Sequence, residues 1–499
     1  LVCSEMCIRD SNVSIASVKT DTNGSYLFKD LDPGYYYVEF NISSNLSYAG
    51  YRFTEANVTG STQENNSDAN ATTSKTQRIF LQSGENNTSL DAGIFKPASI
   101  GDRTWIDDNG NGVQDTNEAN LSDVNVTLWS KTTGLQVTKD LNGTTFGTFG
   151  NGTIATDING SYLFKNLKPD TYYVKFTAPK DISGRQYVIT VEDNTTKTDD
   201  NDSDTNTTGQ TSGQTGNYVL SSGEDNESVD AGFYIPVKVG DRVWIDKNYN
   251  GIQESGEQNL SGVKVYLYDG NGTKLTKDGS GAVFGSGLGY LETNSSGEYL
   301  FSNLPAGHSY YVKFDLTDVN TSGHSYRFTK RNVGGDDTND SDANNTTFKS
   351  DPTPIMESGE QNLTLDAGVY EPVTIGDRVW HDANGNGLQD SGEVGLTGIK
   401  VTLIIDGVLQ DGISSDKNYT IETNATGGYL FDGSYDLKPD SNYSVQFTKP
   451  VDSPYVFTLR NLNSDSNDTN DSDANLSGCL LYTSPSPRDR TRSRMPSSA

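Results

Sequence analysis

The chain has 499 residues, enough for about three to five domains at the usual 100–200 residues each. Asp and Glu number 67 against 37 Lys and Arg, a net charge of −30, the wrong sign for a phosphate-binding surface, so a nucleic-acid partner is excluded. No run of about 20 apolar residues offers a membrane span, three Cys are too few for a disulfide framework, and 10% aromatics in regular patterns set the chain apart from disordered acidic sequences.

In chain order, residues 1–11 come first and read LVCSEMCIRDS; residues 479–499 come last and open with CLLYTSPSPRD. Both resemble one translated sequencing-library adapter, read in opposite orientations, and they hold all three Cys (Cys3, Cys7, Cys479). They are expected to be adapter-like artefacts. The two tails carry −1 and +3, so the body, residues 12–478, carries −32 and no Cys.

The body is repetitive. GDRTWIDDNGNGVQDTNE from Gly101, GDRVWIDKNYNGIQESGE from Gly240 and GDRVWHDANGNGLQDSGE from Gly376 align without gaps. Each is followed by Tyr-Leu-Phe (Tyr162, Tyr299, Tyr429), then by an Asn/Asp/Ser run, then in two cases by Asp-Ala-Gly (Asp230, Asp366). This order predicts a partial module at 12–97 without its GDR half, complete modules at 98–236 and 237–372, and a truncated module at 373–478 without its Asp-Ala-Gly end. Apolar and polar residues alternate with period two at Val124–Leu128 and Val263–Leu267. The same holds at Tyr35–Phe40, Tyr172–Phe176, Tyr310–Phe314 and Tyr443–Phe447, with Asn-Gly and Pro-containing turns between strands. Short strands at regular spacing predict an all-β fold of tandem β-sandwich modules. Trp105, Trp244 and Trp380 recur at one strand position and are expected to anchor the cores.

A twelve-residue loop follows each Trp. Calcium loops of this length take ligands at positions 1, 3, 5, 7, 9 and 12, with Gly at 6 for the turn. Asp107, Asn109, Asn111, Val113 (through its carbonyl), Asp115 and Glu118 fill these places around Gly112. Asp246, Asn248, Asn250, Ile252, Glu254 and Glu257 repeat them around Gly251, and Asp382, Asn384, Asn386, Leu388, Asp390 and Glu393 around Gly387. Ca²⁺ takes six to eight hard oxygens, and three carboxylates within one turn repel one another without a cation. A strand rather than a helix leads into each loop, so a structural Ca²⁺ site is expected, not an opening sensor. The acidic runs offer further oxygens at Asp199, Asp200, Asp202 and Asp204, or Asp336, Asp337, Asp340 and Asp342; a solvated acidic loop is the alternative.

The order GDRVW, loop, GVKV, GEYLF, NLPAG, YYVKF and DAG-x-Tyr resembles the SdrD B-like repeats of serine-aspartate-repeat surface adhesins, related to the collagen-adhesin B-type Ig-like fold. The resemblance covers 12–478. It implies an EF-hand-like calcium loop in each Ig-like sandwich and a stalk carrying a ligand-binding head. The repeats here are longer, with insertions at Leu141–Thr156 and Gly279–Leu291, and no Lys–Asn pair for an isopeptide cross-link is evident.

Of the 46 Asn, 32 begin an Asn-X-Ser/Thr sequon, several in register across modules (Asn23, Asn159, Asn294, Asn424), which points to an exposed, glycosylated surface. The expected function is a calcium-stabilised structural stalk of a secreted or cell-surface adhesin-like protein, associated with a cell wall or S-layer. An N-glycosylating prokaryote, archaeal more than bacterial, is the expected source. The expected partner is a host or neighbouring-cell protein or glycan, and the fragment is expected to be a monomeric rod without catalysis. The alternative is a set of carbohydrate- or protein-binding accessory modules of a larger extracellular enzyme, with Tyr-rich faces as platforms.

Overall fold

The computed structural model describes residues 4–9, 13–42, 49–58, 60–62, 65–147, 150–192, 201–321, 323–405, 418–460, 470–474 and 479–482. These residues are almost entirely strand and turn; the α-helices among them, Phe284–Gly287 and Thr317–Asn320, have four residues each. The all-β reading holds. The chain forms two compact units, 1–236 and 237–499.

Within the first unit, the GDR motif lies on the strand Ala98–Ile106. It pairs antiparallel with the Tyr-Leu-Phe strand Ser161–Leu167 and parallel with Ala231–Tyr234, which carries the end of the Asp-Ala-Gly motif. A second sheet is built on Asn125–Ser130, paired with Asp170–Thr177 and Thr153–Ala155. Period-two alternation explains the packing: Val126, Leu128, Val174 and Phe176 turn inward and are fully buried, while Thr127 and Lys175 stay partly exposed. Ile100, Phe164 and Phe233 from the first sheet complete one core with them. Each such side chain contributes about 1.5–3 kcal/mol by leaving water. Trp105 is fully buried beside Gly232, where a Cβ would come within 2.8 Å of the indole. Trp244 and Gly368 repeat this contact in the second unit.

In the second unit, Val237–Ile245 pairs with Glu298–Leu304 and, in parallel, with Ala367–Tyr370. Lys264–Asp269 pairs with Tyr310–Asp315 in the facing sheet. The following module pairs Ile375–Arg378 with Gly428–Phe431, and Lys400–Ile405 with Asn418–Glu422 and Tyr443–Thr448. The hydroxyl of the Tyr-Leu-Phe tyrosine ties each sandwich to its Asp-Ala-Gly segment: Tyr162 donates to the Val229 carbonyl at 2.7 Å and Tyr299 to that of Leu365 at 2.5 Å.

One copy of the repeated Tyr-Leu-Phe lies outside any strand. Tyr26–Phe28 is not in a strand, because the GDR strand that pairs with its counterparts is missing from the first module. Tyr26 still donates to the Leu90 carbonyl at 2.6 Å. Both adapter-like segments contribute strands: Ser4–Arg9 lies between Val13–Lys19 and Gly34–Asn41, and Cys479–Tyr482 pairs with Tyr443–Thr448. An open sheet edge accepts any extended backbone.

Candidate metal centre

The first two loops leave their sheets at the position-1 Asp, whereas the strand before the third ends at Arg378. The Asp107 amide donates to the Phe233 carbonyl and the Asp246 amide to that of Val369, so both carboxylates start from fully buried backbone positions. At position 6 the Gly amide donates to the position-1 carboxylate at 2.8 Å in all three loops. These glycines have φ of +78° (Gly112), +83° (Gly251) and +77° (Gly387), a region costly for residues with a Cβ. Gly251 is doubly required, since a Cβ there would lie 2.7 Å from the Lys330 carbonyl oxygen.

The remaining side chains turn toward one another. The position-3 amide donates to the position-9 carboxylate: Asn109 to Asp115 at 2.7 Å, Asn248 to Glu254 at 2.8 Å, Asn384 to Asp390 at 2.9 Å. The position-5 carbonyl oxygen of Asn111, Asn250 and Asn386 accepts from the backbone of Val113, Ile252 and Leu388. At position 12, each carboxylate oxygen accepts one amide. Glu118 accepts from Asp108 and Asp115, Glu257 from Lys247 and Glu254, and Glu393 from Ala383 and Asp390. Hydrogen bonds thus tie position 3 to position 9, and positions 5 and 12 to the loop backbone, in all three loops. Burial, aided by the Asp107 and Asp115 carboxylates, pushes Glu118 up to about 7. Glu257 is raised for the same reasons, with Asp246 and Glu254 as its neighbours. Charge this crowded favours a bound cation.

Two features of the site escaped sequence reasoning. A Thr holds the position-1 carboxylate, directly after a two-residue strand in the first two loops: Thr329 donates to Asp246 at 2.6 Å and Thr458 to Asp382 at 2.5 Å, and Thr190 does the same to Asp107. The available signal was a Thr directly after a large apolar residue, in Val-Ile-Thr, Arg-Phe-Thr and Val-Phe-Thr. The second feature is that loop and acidic run meet. Position 7 forms an antiparallel backbone bridge to the run in every case: Val113 with Asp202, Ile252 with Asp340, Leu388 with Asp471.

The run itself collects carboxylates. Ligand oxygens of Asp337, Asp340 and Asp342 lie within 4.8 Å of one another. Asp340 is buried, and its Oδ1 has no hydrogen-bond partner; the equivalent Oδ1 of Asp471 also has none. An orphaned buried carboxylate oxygen is costly, and an all-oxygen donor set of this kind suits Ca²⁺. Burial and neighbouring carboxylates raise Asp340 to about 6 and Asp342 to about 7. Asp366, whose amide donates to Asp342, is pushed to about 9 by burial and by Asp241. Asp336 stands apart, exposed and capping Thr338. Asp202 and Asp204 belong to the equivalent run of the first unit, where Asp204 accepts from the Asp230 amide at 2.6 Å; Asp199 and Asp200 lie outside the described residues.

The third loop differs. Asp382 is partly exposed, because among the described residues no strand follows that matches Ala231–Tyr234 or Ala367–Tyr370. A cleft of about 490 Å³ lies there, lined by Trp380, Leu396 and Tyr429.

Matches to the SdrD B-like domain family cover residues 5–94, 98–233, 237–369 and 373–487. The chain belongs to the SdrD B-like domain family. It is 33% identical over 479 residues to serine-aspartate repeat-containing protein F of Staphylococcus epidermidis, covering 93% of this chain and 24% of that protein. It is 33% identical over 451 residues to serine-aspartate repeat-containing protein D of Staphylococcus aureus strain Newman, covering 88% and 28% respectively. This SdrD B-like chain therefore spans about a quarter of the length of these relatives. Among solved structures, the major pilin subunit BcpA of Bacillus cereus matches with a TM-score of 0.28 at 12% identity, covering 79% of this chain and 97% of the pilin. The Bacillus anthracis TIE protein matches with a TM-score of 0.23 at 12% identity, covering 90% and 64%.

Proposed function

We propose that this chain is a calcium-stabilised stretch of stalk in a cell-surface adhesin, a spacer without catalysis. The observation that carries the reading is the bridge between each loop and its acidic run, which gathers oxygen donors from two distant segments of one sandwich. In the loops, Ca²⁺ would be held by Asp107, Asn109, Asn111, Val113, Asp115 and Glu118, and by their equivalents from Asp246 and from Asp382. Asp337, Asp340 and Asp342 would hold a second ion beside the middle loop. The bound cation supplies charge neutralisation. The protein supplies the rest: strand pairing fixes position 1, the Thr hydroxyl orients its carboxylate, and Gly at position 6 allows the chain to close around the site. Because the donors converge only in the folded module, binding stabilises the fold by linkage. The family relationship supports a surface location, and the sequon Asn residues 23, 159, 294 and 424 are all exposed at turns, as glycan attachment requires. Titration calorimetry of the chelator-treated full chain with Ca²⁺ tests the reading. Binding of at least three ions supports it; no binding ends it.

A second reading, contact with a glycan or protein through the sandwich faces, is favoured by one observation. Tyr268 stacks on Tyr311 with centroids 5.1 Å apart, and Lys349 lies 4.8 Å from the Tyr311 ring. Trp129 and Tyr173 stack likewise under Lys175. Glycan-array binding by the chain, lost in Tyr268→Ala, is the result this reading requires.

A further inference from the structure

Position 4 of the metal loops is Gly110 in one and Gly385 in another, both left-handed (φ +66° and +70°). In the middle loop the same backbone conformation is held by Tyr249 (φ +57°), although a side chain there is strained. The ring shows what is gained. It meets Tyr370 edge to face, with centroids 4.7 Å apart and planes at 68°. Tyr370 ends its module's last strand and hydrogen-bonds to Asp436 in the next module. Lys438 of that next module sits 5.2 Å from the Tyr249 ring and 4.6 Å from the Tyr370 ring, and pairs with Asp436 at 2.6 Å. Arg327 reaches across to the same Asp436 at 3.0 Å and to the Gly433 carbonyl at 2.9 Å.

We propose that Tyr249 makes the 246–257 loop one face of the joint with the following module, so that calcium in this loop tightens the grip on residues 433–438. The proposal rests on the calcium reading of the loop. The geometry supplies the coupling. Asn248 and Asn250 flank Tyr249 and are predicted ligands, so fixing their backbone fixes the direction in which the ring leaves the loop. A loose loop lets the ring leave Tyr370 and Lys438; a clamped loop holds it there. The first and third loops, with Gly at this position, have no ring to transmit their state.

Hydrogen–deuterium exchange of the full chain, with Ca²⁺ or with EGTA, tests this. In the wild type, Ca²⁺ should slow exchange in peptides covering 246–257 and also in 433–439, the latter by about tenfold, the scale of one aromatic pair plus one cation–π contact. Tyr249→Gly, which installs the residue of the other two loops, should keep the response at 246–257 and lose it at 433–439. Tyr249→Phe, which keeps the ring, should behave as wild type. Equal calcium protection of 433–439 in Tyr249→Gly overturns the proposal, as does a wild-type joint that ignores calcium while its loop responds. A wild-type loop that itself ignores calcium overturns the calcium reading and this proposal with it, and is recognised by the silent 246–257 peptides.

Discussion

The backbone of Ile252 pairs with that of Asp340 in an antiparallel bridge, so position 7 of the middle loop is fastened to an acidic run almost ninety residues away along the chain. The Gln253 amide donates to the Asn339 carbonyl at 2.7 Å, and the Ser341 amide to the Gly251 carbonyl at 3.1 Å. Loop and run are thus joined through their backbones.

Removing metal should therefore loosen whole modules. A site saturated a thousandfold above its dissociation constant stabilises the folded state by about 4 kcal/mol. For domains of this size each kcal/mol moves the melting temperature by about 2–8 °C. Calorimetry in EGTA is expected to show a fall of at least about 8 °C relative to millimolar Ca²⁺, with faster proteolysis. Identical melting in the two buffers would count against structural calcium.

The position-6 glycine gives a sharper test. Gly251→Ala introduces a Cβ at positive φ and 2.7 Å from the Lys330 carbonyl oxygen. A loss of about 1–3 kcal/mol is expected from strain alone, with weakened calcium binding at this loop. Gly216→Ala, where nothing lies within 4 Å, should change neither. Denaturant unfolding of both variants with and without Ca²⁺ separates the two outcomes.

Much of this was legible because the repeats report local chemistry. Alternation placed Val126 and Val174 in a core, and the spacing of Asp246, Asn248, Asn250, Glu254 and Glu257 marked out a loop that closes by hydrogen bonds among its own residues. What the sequence withheld was long-range pairing. Nothing local to Thr329 says that its hydroxyl will reach Asp246, 83 residues earlier, because that contact is set by which strands become neighbours. The same limit hid the partnership of Ile252 with Asp340. Tyr249 reads as an ordinary variable position until the next module is seen packed against it. A repeated motif does not by itself make a strand: Tyr26–Phe28 carries Tyr-Leu-Phe outside any strand, since pairing needs a partner as well as a pattern.

Acid should help the metal-free chain. Asp366 is held near 9 by burial and by the Asp241 and Asp342 carboxylates, far above the usual value of about 4. A group whose folded pKa is raised binds its proton more tightly in the folded state, so stability is greatest below the unfolded pKa and is lost as pH rises toward the folded one. The slope is about 1.4 kcal/mol per pH unit for such a group, and Asp342, raised to about 7, acts in the same direction. In EGTA, melting temperature should fall from pH 5 to pH 8. In Ca²⁺ the gain over EGTA should grow across the same interval, because the metal binds only deprotonated carboxylates. A flat profile in EGTA would show that these acids are not buried as described.

The cleft beside Trp380 should accept a strand. In the two complete modules that place is filled by Ala-Gly-Phe-Tyr or Ala-Gly-Val-Tyr, running parallel to the GDR strand with Gly against the indole. The 490 Å³ lined by Trp380, Leu396 and Tyr429 is bounded by the same residue types, and by the register of the complete modules the matching backbone is that of Val379–His381. A synthetic peptide copying residues 363–372, LTLDAGVYEP, should bind the full chain and alter Trp380 fluorescence, a change absent from Trp380→Phe. The same peptide with Gly replaced by Ala should bind at least about tenfold more weakly, since the added Cβ would meet the indole as it would at Gly368, where 2.8 Å remains. Equal binding of the two peptides would mean that the cleft does not read this strand.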